Sequence, residues 1–466
     1  MKIGLVSGGL GAYWPQFPDL LPELQRAAAV VHQRLAAMDA ELVDAGFISD
    51  AVEAQGAADR LRAADVDLLV ISLSTYLTSS MVLPIAQRVG APALVIDLQP
   101  SARMDHPTFD TGRWLAYCGQ CSVPEVGNVF RRAGIAFRSV TGHLHSDEAW
   151  RRIRVWVDAA RATARLRRGR VGLMGHLYPG MLDVSTDLTL ISTQLGAHVE
   201  VLEFDDLRVR LEAVTDHQIA ERIDQIHDTF RLDESAEPDD VRWAATVSVG
   251  LDQLVADFRL DAMAYYHRGL GGEIHERLAA GIILGASMLT ARGIPFAGEY
   301  ELRNAVAMLI AESVAGGGSF TEIQALNFED GVVEMGHDGP AHLALSSDRP
   351  LVRGLGTYHG KRGWGVSVEF DVAHGPVTLF GLGQDRHGTL RFITAEGTVV
   401  PGPLLQIGNT TSRVDFDCDP GLWVDEWAAS GIGHHWSLCR GSRATAFGAV
   451  ADLVGAPYTH VTIGKN

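Results

Sequence analysis

The sequence predicts an α/β protein with two parallel-sheet domains and a mainly β C-terminal domain. Short apolar runs alternate with amphipathic segments in the first portion, which is the rhythm of βαβ units. A second round of this pattern starts near residue 171, and from about residue 331 glycines multiply while helical periodicity fades. We therefore expect domains at residues 1–168, 169–325 and 326–466.

The first domain is predicted from apolar runs short enough to be buried strands, with helical segments between them that would cover both faces of a sheet. A helix from about Ser146 to Arg168 follows as a connector, with Trp150 and Ile153 on one face. The predicted strands run from Lys2 to Gly8, Glu41 to Gly46, Val66 to Ser72 and Ala93 to Leu98.

The second domain repeats this order, and its longest predicted helix runs from Ile274 to Arg292. Both domains are typical of a Rossmann-like or flavodoxin-like parallel sheet. The predicted strands begin at Val171 and then run from His198 to Phe204, Asp261 to His267 and Ile294 to Glu299.

The third domain is predicted to be β-rich and barrel-like because its apolar segments are short and separated by turn residues. These segments run from Trp364 to Val372, Pro376 to Gly381 and Thr389 to Ile393, and helix returns near Ser442 to Val454.

Composition narrows the function classes. A formal net charge of −18 over 466 residues repels nucleic-acid phosphate and anionic lipid, so neither polymer is expected as a partner. Four cysteines do not make a disulfide framework in a chain of this length, and no apolar run reaches membrane-spanning length. Without a secretory leader in the sequence, we expect a soluble cytoplasmic protein.

Two carboxylates and a pair of histidine segments form the strongest candidate site. Glu299 ends a predicted strand, where open α/β sheets place binding groups, and Glu322 follows a glycine run. Mixed oxygen and nitrogen donors suit Mn²⁺, Fe²⁺, Co²⁺ or Zn²⁺ better than Mg²⁺ or Ca²⁺. The segments that contain these donors are Phe296 to Glu301, Ser319 to Glu322, Met335 to Asp338 and Gly431 to Trp436.

The amino-acid sequences of these segments and their order along the chain resemble those of the L-arabinose isomerases, with the L-fucose isomerases as more distant relatives. The stretch from Gly281 to Ile310 is similar to a strand, a Phe-Ala-Gly-Glu loop and an Ala-rich helix of that family. The resemblance implies that Glu299, Glu322, His337 and His435 bind a divalent metal, most often Mn²⁺, and that the two carboxylates are catalytic. It also implies aldose–ketose isomerisation of a free sugar through an enediol, in a three-domain subunit that forms a homotrimer or homohexamer.

Further residues are candidates for binding the sugar. The resemblance places Tyr13 and Trp14 near a neighbouring subunit's sugar, and His434 beside the metal, although His434 and His435 could exchange roles. His267 ends a predicted strand, and Lys361 is a candidate for a substrate oxygen or an anionic substituent.

Two departures from the family leave alternatives open. The run His337-Asp-Gly-Pro-Ala-His342 differs from the family's apolar run, so His342 could replace His337 as the ligand. The loop Tyr117-Cys-Gly-Gln-Cys121 stands where the family has a histidine-containing sugar contact, and we interpret its cysteines as buried, ordinary thiols.

Three hypotheses about the substrate and the reaction therefore remain open. In the first, the protein isomerises an L-arabinose-like pentose, a 6-deoxyhexose or a hexose. The alternatives are an isomerase or epimerase of a modified sugar, and a non-catalytic sugar-binding protein. No nucleotide cofactor is expected, because Ser7-Gly-Gly-Leu-Gly11 lacks the dinucleotide-binding spacing.

Overall fold

The structure is a computed structural model that describes residues 1–267, 273–355, 357–358, 361–362, 365–405 and 407–463. The chain divides into two compact units, Met1–Ala164 and Arg165–Asn466. Each unit is described by itself. No helix among the described residues is both long enough and apolar enough to cross a membrane.

The first unit is a parallel sheet with helices between its strands. The strands are β1 (Lys2–Gly8), β2 (Glu41–Ile48), β3 (Leu68–Leu73), β4 (Ala93–Gln99) and β5 (Phe137–His143). The helices are α1 (Leu20–Ala36), α2 (Ala51–Ala63), α3 (Ser79–Val89), α4 (Thr111–Leu115), α5 (Ser122–Arg132) and α6 (Asp147–Arg168), the last of which continues into the second unit. The four predicted strands and the helix predicted near Ser146 to Arg168 are confirmed.

The strand order in this sheet is β2-β1-β3-β4-β5, and all the strand pairs are parallel. Every residue of β3 is buried, as expected for a central strand covered on both faces. The order reverses between β1 and β3, and ligands of open parallel sheets bind at the carboxyl ends of strands near such a point. Local capping helps the helices form: the Asp50 carboxylate accepts hydrogen bonds from the backbone N–H groups of Val52 and Glu53 at the start of α2.

Asp97, near the carboxyl end of β4, is an acid inside this unit. Its side chain is 2% exposed, its Oδ2 has no hydrogen-bond partner among the described residues, and burial raises its pKa to about 7. The folded state therefore favours the neutral acid. Protonated Asp97 thus contributes to the stability of the folded state. This stabilisation is fully present below the unfolded pKa near 4 and is lost as the pH rises through about 7.

Asp97→Asn is accordingly expected to stabilise the protein at pH 8 by on the order of 3 kcal/mol, with little change at pH 4. Urea denaturation of both proteins at several pH values measures this. A stability difference that does not grow between pH 4 and pH 8 would show that the buried charge carries no such cost.

The second unit contains a smaller parallel sheet of four strands, β6 (Arg170–Gly175), β7 (His198–Leu202), β9 (Ala262–Tyr266) and β10 (Phe296–Ala297). Their order in the sheet is β10-β9-β6-β7. The helices between β6 and residue 319 are α7 (Leu188–Leu190), α8 (Phe204–Leu211), α9 (Asp216–Thr229), α10 (Pro238–Phe258), α11 (Glu273–Thr290) and α12 (Leu302–Ala315). This confirms the predicted second parallel sheet.

The rest of the second unit is mainly β, as predicted. Its strands are β8 (Arg231–Leu232), β11 (Ser319–Asn327), β12 (Val332–His337), β13 (Leu351–Gly354), β14 (Thr357–Tyr358), β15 (Lys361–Arg362), β16 (Val366–Glu369), β17 (Gly375–Gln384), β18 (Leu390–Val399), β19 (Thr410–Asp415), β20 (Trp436–Arg440) and β21 (Tyr458–Val461). Two helices, α13 (Pro420–Ala429) and α14 (Ala444–Val454), lie among them.

Seven of these strands form one sheet in the order β17-β20-β11-β12-β19-β18-β21, and an additional pairing joins β17 to β18. Smaller sheets are β16-β13-β8 and β14-β15. A row of tryptophans connects α13 to β20: the rings of Trp423 and Trp427 stack with centroids 5.4 Å apart, and Trp427 meets Trp436 edge-on at 5.3 Å. This packing holds the start of β20, and with it the His434-His435 pair.

Candidate metal and active site

Glu299 lies in a tight connection between β10 and α12. Glu299 and Tyr300 both have left-handed backbone conformations, with φ of 55° and 65°, although neither is glycine. The Tyr300 N–H donates a hydrogen bond to the Tyr265 carbonyl at 3.0 Å, which holds this turn against the end of β9. Such residues each cost on the order of 1–3 kcal/mol and persist where the surrounding structure enforces them, commonly at functional sites.

Three neighbouring strands bring the other predicted ligands together. In the register of the sheet, Glu322 of β11 is opposite Gly336 of β12, and Thr321 is opposite Trp436 of β20. His337 and His435 therefore lie on either side of β11. The Phe320 ring lies between them, with its centroid 4.3 Å from His337 and 4.5 Å from His435.

His435 is the centre of the cluster. Its Nε2 lies 3.2 Å from Glu299 Oε2 and 4.0 Å from Glu322 Oε2, and its side chain has no exposed surface. Two overlapping groups have ligand atoms within 4.8 Å of one another: Glu299, His337 and His435, and Glu322, His434 and His435. The structure thus brings together all four predicted ligands and His434.

The polar atoms at this centre fit a bound cation. Both ring nitrogens of His435 and Oε2 of Glu299 are buried and make no well-aligned hydrogen bond among the described residues, although they lie within ion-pair distance of one another or of Glu301. Leaving a buried polar atom unpaired costs about 1–3 kcal/mol, and more for a charged one. A divalent ion would satisfy Glu299 Oε2 and His435 Nε2, which lie 3.2 Å apart, whereas His435 Nδ1 faces Glu301 Oε2 at 3.8 Å. Two carboxylates with two imidazoles are a donor set suited to a first-row transition metal.

The two carboxylates differ in their electrostatics. Burial opposes ionisation of Glu299, but the neighbouring His434 and His435 outweigh it and hold the pKa of Glu299 well below its usual value. Burial raises the pKa of Glu322, and the negative charge of Glu299 adds to this against the attraction of His435. Glu322 is also the more accessible, with 30% of its side chain exposed against 17% for Glu299.

The neighbouring carboxylates also change the pKa of His435. Burial lowers the pKa of His435, but Glu299 and Glu301 outweigh it and raise the pKa to about 9. Without a metal ion, His435 is therefore protonated at neutral pH. The ring of His337 is oriented by the Gly339 N–H, which donates a hydrogen bond to its Nδ1 at 3.0 Å.

Asp183 is a site residue that the sequence did not indicate. Its Oδ2 lies 2.6 Å from Nδ1 of His434 and accepts a hydrogen bond from the His434 backbone N–H at 3.0 Å. The Arg303 guanidinium donates to the Asp183 backbone carbonyl. Burial raises the pKa of Asp183, but the hydrogen bonds from His434 outweigh it, so its pKa lies below the usual value. Asp183 thus holds the His434 ring in place through Nδ1. The other ring nitrogen of His434, Nε2, lies 3.8 Å from Glu299 Oε2.

Asp183→Asn is expected to keep the fold and the metal but to lower turnover by about tenfold to a hundredfold, because a partner that orients a ring at a metal site typically contributes this much. Steady-state kinetics and metal content measure the two effects separately. Asp187→Asn is a nearby control, since Asp187 caps the Thr189 N–H and its side chain makes no other hydrogen bond or ion pair among the described residues. Equal turnover in the Asp183 and Asp187 variants would contradict the orienting role.

The remaining predicted residues lie outside this cluster. His342 Nε2 lies 3.2 Å from Glu312 Oε1, and His342 belongs to neither ligand group, so the alternative ligand assignment is not favoured. His267 lies at the end of β9, where its ring contacts those of Phe204 and His275. Lys361 falls on a segment whose side chains are outside the described part.

Tyr13 and Trp14 belong to the first unit. Their rings meet edge-on with centroids 6.4 Å apart, and Trp14 Nε1 donates to Ser49 Oγ at 3.1 Å. Both pack against a small apolar cluster that contains Leu20 and Leu24.

Comparisons with known proteins are consistent with the predicted family. No protein-family model matches the chain. It is 25% identical to an L-arabinose isomerase from a Nocardioides species over 346 residues, which cover 71% of this chain and 67% of the relative. For the L-arabinose isomerase of Acidothermus cellulolyticus the identity is 26%, with 71% and 68% covered, and for that of Clavibacter sepedonicus it is 24%, with 67% and 63% covered. The alignments therefore span about two thirds of each relative.

Proposed function

We propose that this chain is a metal-dependent aldose–ketose isomerase of the arabinose isomerase type. The observation that carries the proposal is the cluster around His435, where Glu299, Glu322 and His337 converge from separate segments and two overlapping groups of ligand atoms lie within 4.8 Å of one another. Similarity to several L-arabinose isomerases supports the isomerase class, which the cluster alone would leave open among metal enzymes.

Glu299, Glu322, His337 and His435 would hold the ion. A bound divalent cation, Mn²⁺ or alternatively Co²⁺, Fe²⁺ or Zn²⁺, would polarise the neighbouring oxygens at C1 and C2 of an open-chain sugar. Glu299 is the better permanent ligand, because its low pKa keeps it ionised and its Oε2 is buried next to His435.

Glu322 is the better proton carrier. Isomerisation requires a base to remove the hydrogen from C2 of the aldose as a proton and to return it to C1 of the enediol. A carboxyl group with a raised pKa and an accessible side chain can be both base and acid in one cycle, whereas Glu299 is held in its ionised form. His434, held by Asp183, would bind a sugar hydroxyl.

The subunit is proposed to assemble as a homotrimer or homohexamer in the cytoplasm. In such an assembly Tyr13 and Trp14 of the first unit would reach the sugar bound by a neighbouring subunit. An aromatic pair supplies both apolar surface for a sugar face and polar atoms for its hydroxyls.

A sugar panel tests the proposal. Mn²⁺-loaded protein is incubated with pentoses, 6-deoxyhexoses, hexoses and acidic or branched sugars, and ketose formation is measured. We expect conversion of at least one unmodified aldose and its loss when a chelator removes the metal. Conversion of modified sugars alone would favour the alternative isomerase or epimerase. Tight sugar binding with no conversion and no bound metal would favour a binding protein.

A further inference from the structure

The Tyr117-to-Cys121 loop of the first unit contains a pair of thiols that the proposed isomerase chemistry does not use. Cys118 Sγ and Cys121 Sγ lie 3.6 Å apart, and Cys121 Sγ donates to the Cys118 carbonyl at 3.0 Å. Cys121 is exposed and Cys118 is half-buried, so the sequence interpretation of two buried thiols is wrong for Cys121. A pair with this spacing can close to a disulfide by rotation of its side chains.

Anchors on both sides hold this loop on the carboxyl edge of the sheet. Thr75 Oγ1 donates to the Leu115 carbonyl at 2.6 Å, and Ser122 Oγ accepts from the Leu77 N–H at 2.9 Å. Cys121 is the N-cap residue of α5, a position where the helix dipole favours negative charge. The thiols are therefore held together before any reaction.

A buried carboxyl group lies under the pair. Gly119, between the two cysteines, packs so closely on Asp97 that a Cβ at this position would stand 2.3 Å from Asp97 Oδ1. Asp97 is 2% exposed, and its other carboxyl oxygen has no hydrogen-bond partner among the described residues. Its charge also acts on the deeper thiol: burial, together with Cys121 and Asp97, raises the pKa of Cys118 to about 11. A poorly ionised Cys118 needs a base, and Asp97 is the buried carboxyl group that packs against the adjacent Gly119.

We propose that Cys118 and Cys121 form a reversible, reactive dithiol that exchanges with low-molecular-weight disulfides such as oxidised glutathione, with Asp97 as the internal proton acceptor. A CxxC pair within a βαβ arrangement is a known physical setting for such exchange. The groups of three or more possible metal ligands found in the described ranges are both at the His435 cluster, so a metal site at the cysteines is not favoured.

The reaction balances in two exchanges. The Cys121 thiolate, its proton lost to solvent, attacks one sulfur of oxidised glutathione, which breaks that disulfide, forms a mixed disulfide and releases one glutathione thiolate. Cys118 then gives its proton to Asp97, attacks the Cys121 sulfur and expels the second glutathione as thiolate. The cysteines lose two electrons and two protons. The oxidised glutathione takes up the electrons, and its two thiolates are protonated by solvent and Asp97.

Disulfide formation would also change the surroundings of Tyr13. Cys118, Tyr13 and Trp14 pack against the same apolar cluster, and burial together with the charges of Cys118 and Cys121 raises the pKa of the Tyr13 hydroxyl. If Tyr13 contacts sugar, a consequence that rests on the proposed function, oxidation would change KM. The exchange itself is measured without any sugar.

The test follows thiols by mass in glutathione buffers of increasing oxidised fraction. In the full chain we expect Cys118 and Cys121 to be lost together as an internal disulfide that excess reduced glutathione reopens. Cys118→Ser should trap one glutathione on Cys121, and Cys121→Ser should slow the reaction at least about tenfold, because the exposed thiol is removed. Cys418→Ser, at a half-buried cysteine of the second unit, is the matched control and should leave the disulfide unchanged.

The Asp97→Asn variant distinguishes a role of Asp97 as proton acceptor from a purely structural role. This variant should still form the mixed disulfide at the normal rate but close to the internal disulfide about tenfold more slowly, with a weaker pH dependence of closure. Closure at the normal rate would overturn the role of Asp97. A wild-type chain that stays reduced in excess oxidised glutathione, or that stops at a stable glutathione adduct, would overturn the proposal, whatever the sugar assays show.

Discussion

Replacing Glu322 by Gln is expected to lower kcat by about a thousandfold, because a positioned general base contributes about 10²–10⁴-fold and Gln cannot accept the C2 proton. The substitution keeps the side-chain volume, so the β11–β12 pairing at Gly336 should survive. The measurement is kcat at saturating Mn²⁺ with the best aldose of the panel, together with the rate at which the C2 hydrogen exchanges with solvent. Both rates should fall together.

Glu299→Gln should fail in a different way. It removes the ionised ligand nearest to His435, so metal affinity should fall first and excess Mn²⁺ should restore part of the turnover. Glu329→Gln, at an exposed position on the same hairpin, is the charge-matched control and should behave as wild type. Metal rescue of Glu322→Gln to wild-type turnover would assign Glu322 a ligand role alone, and full activity in both variants would remove this cluster from catalysis.

His435→Ala is expected to weaken metal binding by at least about a hundredfold, whereas His434→Ala should keep the metal and lose mainly sugar turnover. The reason is position: His435 is fully buried among both ligand groups, while His434 is partly exposed and held by Asp183. Calorimetric titration of metal into both variants measures this, with the exposed His217→Ala as control. Undiminished affinity in His435→Ala would mean that the centre of the site lies elsewhere.

The pH dependence of metal binding provides a second measurement on the same proteins. Because the pKa of His435 is raised to about 9 without metal, this histidine is protonated at pH 7 and must lose that proton to bind the ion. Affinity should therefore rise up to about tenfold per pH unit from pH 7 to about 9 and level off above it. Titrations in buffers of different ionisation enthalpy should show one proton released per metal, and His435→Ala should lose this release.

Local sequence patterns were sufficient for much of the fold. Four of the five strands of the first sheet were predicted within a few residues, because uninterrupted apolar runs such as Leu68–Leu73 are typical of central parallel strands. The fifth strand, Phe137–His143, was missed because most of its residues are exposed or half-buried and it has no such run. The β-rich character after residue 331 followed from glycines and short apolar segments. The pairing of β17 with β18 and the order of the seven-stranded sheet could not be predicted, since register depends on contacts between distant segments.

The candidate site shows the same division. Glu299, Glu322, His337 and His435 were named through the wording of a family, and the structure brings them together. Asp183 could not be found in this way, because it lies in a stretch without a motif and meets His434 across 251 positions of the chain. Long-range partners of this kind are visible only when the fold is known.

The left-handed turn at Glu299 and Tyr300 also has a consequence for engineering. Position 299 is constrained by its chemistry, but position 300 is constrained by its backbone, since φ of 65° is unfavourable for branched side chains and inaccessible to proline. A library at residue 300 therefore has a small useful alphabet, led by Gly, Asn and Asp, which adopt this conformation most readily. Broader diversity in this turn must be introduced at neighbouring positions.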